Sequence, residues 1–199
     1  ASVTFRGNDS RYTGVYSGSV TIPETVTYNG TTYSVTSIGS SAFSKCYGLT
    51  SVTIPNSVTN IGGRAFLDCS SLTSITIPNS ITSIGWFALN GCSSITSITI
   101  PESVTGIGSG AFKNTGFYND KSNWDDGTLY IDNCLIEVNQ SLSGAYTIKD
   151  STRVIADDAF DQCYKLTSIT IPESVVSIGK QAFYGCSSLA SIIIPNSVT

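Results

Sequence analysis

Apolar and polar positions recur along most of this chain with a period of 23 residues. Residues 49–71, LTSVTIPNSVTNIGGRAFLDCSS, show the unit, with Leu49, Val52, Ile54, Val58, Ile61, Ala65, Phe66 and Cys69 as its apolar positions. Val52 and Ile54 alternate with Ser51 and Thr53, which predicts a short strand buried on one face. Pro55 removes a backbone donor, so a ladder built on this strand ends there. Ala65, Phe66 and Cys69 follow an i, i+1, i+4 spacing, which predicts a single helical turn. Each unit therefore reads as a strand, a turn and a scrap of helix leading to the next strand.

All six prolines fall in one slot, each after isoleucine: Pro23, Pro55, Pro78, Pro101, Pro172 and Pro195. Ile148-Lys149 is a proline-less copy lying one period before Ile171-Pro172. Ala-Phe returns in the same frame at Ala42, Ala65, Ala111, Ala159 and Ala182, with Ala88-Leu89 as a variant. A fixed period of this length predicts a solenoid with a parallel sheet on one face and short helical turns on the other, an α/β repeat fold. One coil cannot bury enough apolar surface to fold alone, so stability is a sum over interfaces between neighbours.

The chain divides accordingly within one elongated domain. Residues 1–21 lack the repeat; Val3-Thr4-Phe5 and the stretch 12–16 read as a short hairpin covering the first coil. Residues 22–112 are regular repeats, with an insertion at about 26–35 in which Asn29-Gly30, between Val26-Thr27-Tyr28 and Thr31-Thr32-Tyr33, predicts a two-residue hairpin turn. Residues 113–147 form an irregular coil, with strand-like runs at 128–131 and 135–138 around Asp132-Asn133. Regular repeats resume at 148–199 and stop midway through a coil at Thr199, which implies a longer parent chain or self-association through the open last coil.

The strand LTSVTIP resembles the leucine-rich repeat pattern, and its continuation NSVTNIGGRAFLDC is similar to the variant found in BspA-like bacterial surface proteins. Seven copies carry the resemblance, from Ile22 to Ile194. It implies an extracellular or bacterial cell-surface location and adhesion to host proteins, matrix proteins or other cells. An irregular coil ending in a stretch like YTIKDSTRVIADDAF is also a feature of that family.

Composition narrows the chemistry. Of the 199 residues only 12% are charged, and the net charge is −4, with no basic patch for nucleic acid or an anionic membrane. No apolar run is long enough to span a bilayer. No charged-then-apolar leader opens the sequence, the expectation for a mature, trimmed or intracellular chain. Five of the six cysteines (Cys46, Cys69, Cys92, Cys163, Cys186) occupy one slot, which Thr115 takes in a sixth coil. A threonine there is what a small packed site tolerates, so a ladder of reduced thiols is expected. The glycines after isoleucine, Gly39, Gly62, Gly85, Gly108 and Gly179, give way to Ala156 in one coil, which favours close packing over a positive φ as their cause.

The absence of histidine removes the commonest general base and metal ligand. Asp125-Asp126 and Asp157-Asp158 read as solvated loop charges. Asn123, Asp125, Asp126 and Gly127, with Asp120 before them, lack the spacing and distal glutamate of a calcium loop. No enzyme, cofactor or metal site is expected.

Two surfaces are candidates for binding. On the strand face, Ser51 and Thr53, Ser74 and Thr76, Ser97 and Thr99, and Ser168 and Thr170 form ranks of hydroxyls suited to protein or to a repeating carbohydrate or ice lattice. In the irregular coil, Phe117, Tyr118 and Trp124 lie beside Asp125 and Asp126, aromatics next to polar groups that suit protein or sugar. The expected role is a non-enzymatic protein-binding module; a passive spacer and a carbohydrate binder are the alternatives.

Overall fold

The computed structural model describes residues 2–3 and 15–199. The hairpin expected at the N-terminus, including Thr4, Phe5, Tyr12 and Gly14, lies outside them, except for a strand Ser2–Val3 that pairs in parallel with Ser37–Ile38. The chain folds as a β-solenoid of stacked coils. It comprises two compact units, residues 1–104 with 110–120 and residues 105–109 with 121–199.

In the first unit, two strands per coil stack into separate parallel sheets. Gly18–Thr21, Leu49–Thr53 and Ser74–Ile75 form one sheet. A second runs through Ser37–Ile38, Asn60–Ile61 and Ser83–Ile84. The proline closes the first strand as its chemistry requires, and its carbonyl accepts the first bond of the following turn, from Val58 to Pro55 and from Ile81 to Pro78. Inside, Leu49, Val58, Ile61, Phe66 and their equivalents are fully buried. The phenylalanines stack along the coil direction, Phe43 on Phe66 with centroids 5.2 Å apart.

The return segments differ from the helical scrap expected for them. Alternate amides close tight turns within the coil, Ala42 onto Gly39, Ser44 onto Ser41 and Cys46 onto Phe43. Those between them, Ser41, Phe43 and Lys45, donate to Gly63, Ala65 and Leu67 of the next coil. This alternation needs left-handed residues on either side of Ala-Phe: Ser41 (φ 60°) and Lys45 (φ 58°), then Arg64 (φ 57°) and Asp68 (φ 59°). Each costs roughly 1–2 kcal/mol. A helix of so few residues would close hardly any internal bonds, whereas the turn ladder satisfies every second amide across the coil boundary. The only α-helix among the described residues is Gly116–Asn119.

The glycines after isoleucine are placed by crowding. A Cβ on Gly85 would lie 2.4 Å from the Gly63 nitrogen, and one on Gly62 2.6 Å from that of Ser40. The insertion is an antiparallel hairpin, Thr25–Tyr28 with Thr31–Ser34, turning at Asn29 (φ 48°) and Gly30 (φ 75°). All eight strand residues are exposed.

In the second unit the irregular coil supplies Trp124–Asp125, Thr128–Ile131 and Cys134–Val138 as an antiparallel ribbon. The hairpin read around Asp132-Asn133 is present, its second strand starting one residue earlier, at Cys134. Cys134–Val138 then continues in parallel through Val154–Ile155 to Ser177–Ile178. Ser143–Thr147 and Lys165–Thr170 form a separate parallel pair. Ala156 follows directly on a strand paired to this hairpin, where its amide bonds Leu135, so the alanine stands in the coil whose neighbour is irregular.

Candidate binding surfaces

The repeat brings part of its hydroxyls into register, while Thr76, Ser97 and Thr99 lie outside the paired strands. Ser51 faces Ser19 on one side and Ser74 on the other, and Thr53 faces Thr21. The Ser51 hydroxyl donates to that of Ser19 at 2.8 Å. In the second unit Thr170 faces Thr147, but Ser168 faces Ala145, which interrupts that rank. Thr53, Ser74, Thr76, Ser97, Thr99, Ser168 and Thr170 are exposed, and Ser51 is half-buried. A register shift beside Gly18 marks a bulge, and Thr50, Thr73 and Thr96 are exposed as well. A further rank, unassigned in the sequence reading although its period was visible, runs through Thr36, Thr59 and Thr82. There Thr59 and Thr82 donate to the Thr36 and Thr59 carbonyls at 3.3 and 3.2 Å.

A second hydroxyl ladder lies beneath the proline turns. Ser80 and Ser103 donate to the Val58 and Ile81 carbonyls of the preceding coils, at 2.6 and 2.7 Å. Ser57, the corresponding residue after the inserted hairpin, has a buried hydroxyl without a partner.

The residues singled out in the irregular coil are divided between the units. Phe117 and Tyr118 sit on the helix Gly116–Asn119 of the first, both half-buried. Thr115 caps that helix: its hydroxyl accepts the Tyr118 amide at 3.1 Å and donates to the Phe112 carbonyl at 2.9 Å. In the second unit, Trp124 is half-buried with the Lys121 ammonium 4.7 Å from its ring. Asp125 and Asp126 are exposed. Asp125 pairs with Lys149 at 3.1 Å. The same ammonium lies 4.4 Å from the Tyr130 ring, and the Tyr130 and Tyr146 hydroxyls meet at 3.2 Å. Burial, then the Tyr146 hydroxyl, pushes the Tyr130 phenol up. Sequence reading missed this Lys149–Tyr130–Tyr146 cluster; the signal available was Lys149 standing in a proline slot.

The ladder thiols are occupied in packing. All six cysteines are free. Cys69, Cys92 and Cys186 donate to the phenylalanine carbonyl of the preceding coil at 3.0, 3.1 and 3.2 Å. Burial pushes Cys134 up to about 11 and Cys163 to about 12, and Cys69 is raised further, first by its bond with Cys92. Thiols held in this way are poor nucleophiles. Among the described residues no group of three or more His, Cys, Asp or Glu side chains is placed to hold a metal ion, and no helix is long and apolar enough to cross a membrane.

Cross-coil pairing, the proline turn and the buried Ala-Phe slot recur from coil to coil. The family described as "BspA type Leucine rich repeat region" matches residues 19–143 and 130–199, in six copies. The chain belongs to the BspA-type leucine-rich repeat family. It is 32% identical to a leucine-rich repeat protein of Bacteroides ovatus, with a TM-score of 0.52 over 98% of this chain and 46% of that one. It thus spans about half the length of that relative. A leucine-rich repeat protein of Bacteroides capillosus is 36% identical over 53% of this chain and 74% of its own, with a TM-score of 0.46. The leucine-rich repeat protein of T. pallidum is 24% identical over 87% and 78%, with a TM-score of 0.47. No curated protein matches the sequence.

Proposed function

We propose that this BspA-type solenoid is a non-enzymatic protein-binding module of a bacterial cell-surface or secreted protein, serving adhesion to host proteins, matrix proteins or other cells. The observation that carries the reading is the family match across both stretches of the chain, since the family resemblance implies surface adhesion. The chemistry supports it: the reactive side chains most suited to nucleophilic attack, the thiols, are donors in the packing. What the repeats leave for recognition is their exposed faces.

The test is saturable binding of the chain to a panel of immobilised matrix proteins and glycans, beside a folded Tyr118→Ala, Trp124→Ala variant. Binding of the intact chain to a protein supports the module. Its loss in the double variant assigns recognition to the irregular coil, and its retention moves recognition to another face. Capture of glycans alone favours a carbohydrate binder, and no binding at all favours a passive spacer.

A further inference from the structure

The repeats provide an internal standard for what folding requires. After the glycine that follows isoleucine stand Ser40, Gly63, Trp86 and Ser109, and the next slot holds Ser41, Arg64, Phe87 and Gly110. Two adjacent coils of the first unit therefore depart from small residues together, and the departures meet. The Arg64 guanidinium lies 4.1 Å from the Trp86 ring. Phe87 packs edge-on to the indole with centroids 5.7 Å apart. Beneath the indole the chain is cut back: a Cβ on Gly63 would lie 2.3 Å from its nitrogen, whereas Gly110, where a Cβ would lie 2.5 Å from the Phe87 ring, is left-handed (φ 62°) as its slot is in the other coils. Gly63 has no left-handed φ to explain it. Its glycine is needed only to seat Trp86. Trp86 nevertheless remains 45% exposed, and Arg64 is exposed beside it.

The charge around this platform is one-sided. The return turns of the first unit carry exposed Lys45, Arg64 and Lys113 with half-buried Asp68 among them; its other described acidic residues are Glu24 and Glu102, each directly after a proline, and Asp120, the C-cap of the helix Gly116–Asn119. Among the described residues Arg64 meets no carboxylate. Its fork is held by the indole and left open to an anion. Tryptophan and arginine are among the residue types enriched at interface hot spots.

We infer that Arg64, Trp86 and Phe87 form a recognition site on the return-turn face for an acidic segment of a partner protein, with carboxylates on Arg64 and an apolar side chain on Trp86. This deepens the protein-binding reading above and rests on it. The site differs from both surfaces singled out in the sequence.

The experiment measures fluorescence anisotropy of fluorescein-labelled poly(Glu,Tyr) with the full chain, then with Arg64→Gln and Trp86→Ser. Both replacements restore residue types the repeat itself uses in these slots, Gln181 and Ser40; thermal melts check the fold. The intact chain is expected to bind saturably and each variant about tenfold more weakly, with affinity falling as salt rises. Lys165→Gln, in the other unit, should change nothing. Equal affinity in all variants, equal loss in Lys165→Gln, or binding of heparin in preference to poly(Glu,Tyr) would overturn the site or its partner class. If a panel protein binds the Arg64 and Trp86 variants as it binds the parent, this site is wrong and the module reading stands. If poly(Glu,Tyr) binds through the site but no panel protein binds, the site stands and the wider reading loses support.

Discussion

At the scale of single residues, the fold depends on slots in which only one size fits. Gly85→Ala places a methyl 2.4 Å from a backbone nitrogen of the preceding coil, a clash that no rotamer relieves. The substitution is expected to destabilise by about 2 kcal/mol, read as a lowered urea midpoint; an unchanged midpoint would refute the close packing. The thiols make a pH prediction. Cys134 and Cys163 titrate near 11 and 12 in the folded chain against about 9 when free. The folded state thus holds protons that the unfolded state has lost, and stability is full below about pH 9 and falls as pH climbs towards 11 and 12. Melting temperatures between pH 8 and pH 11 check this, and Cys163→Thr should flatten the slope. The glycine slot and the thiol ladder were legible because residue type carried them. The left-handed turn positions were only partly so: Gly91, Gly110, Gly185 and Asn114 suit such a backbone, but serine, lysine, arginine, aspartate, phenylalanine and glutamine fill the same slots in other coils, so residue type does not mark the backbone there consistently.

Among elements, the strand before the proline and both hairpins could be read from alternation and from Asn29-Gly30, whereas the second strand of each coil, such as Asn60–Ile61, and the return segment could not. Ala65, Phe66 and Cys69 produce the same spacing in a helical turn and in a ladder of tight turns. What separates the two is where the amides go, and that is settled by the neighbouring coil. All strand residues of the inserted hairpin are exposed. Deleting the insertion to give a 23-residue first coil is expected to change stability by less than about 1 kcal/mol; a collapse of the melting transition would show that the hairpin supports the fold. The pair between Asp125 and Lys149 joins two exposed side chains. Asp125→Asn should therefore cost no more than about 1 kcal/mol and nothing measurable at high salt, by denaturant titration at two ionic strengths.

For the whole molecule, a repeat protein separates what holds it together from what it recognises. Burial, cross-coil bonds and thiol donors repeat with the period and serve stability; Phe66→Ala, which empties the centre of a stack on Phe43, should cost about 3–5 kcal/mol. The period made this layer readable from sequence, and family membership follows from it. The proposed recognition residues lie in departures from the period, and there the sequence reading singled out Phe117, Tyr118 and Trp124 but passed over Arg64 and Trp86. Those two are 22 residues apart in the chain, and only the stacking of coils brings guanidinium onto indole. The net charge of −4 lies in the second unit as a whole, so the first unit's cationic return turns are a local feature hidden by the total. The most direct measurement is equilibrium binding of the intact chain to an immobilised panel of matrix proteins, run side by side with Arg64→Gln and with the Tyr118→Ala, Trp124→Ala variant. The account predicts saturable binding to at least one protein, weakened about tenfold by Arg64→Gln. An intact, folded chain that binds no protein on the panel would contradict it.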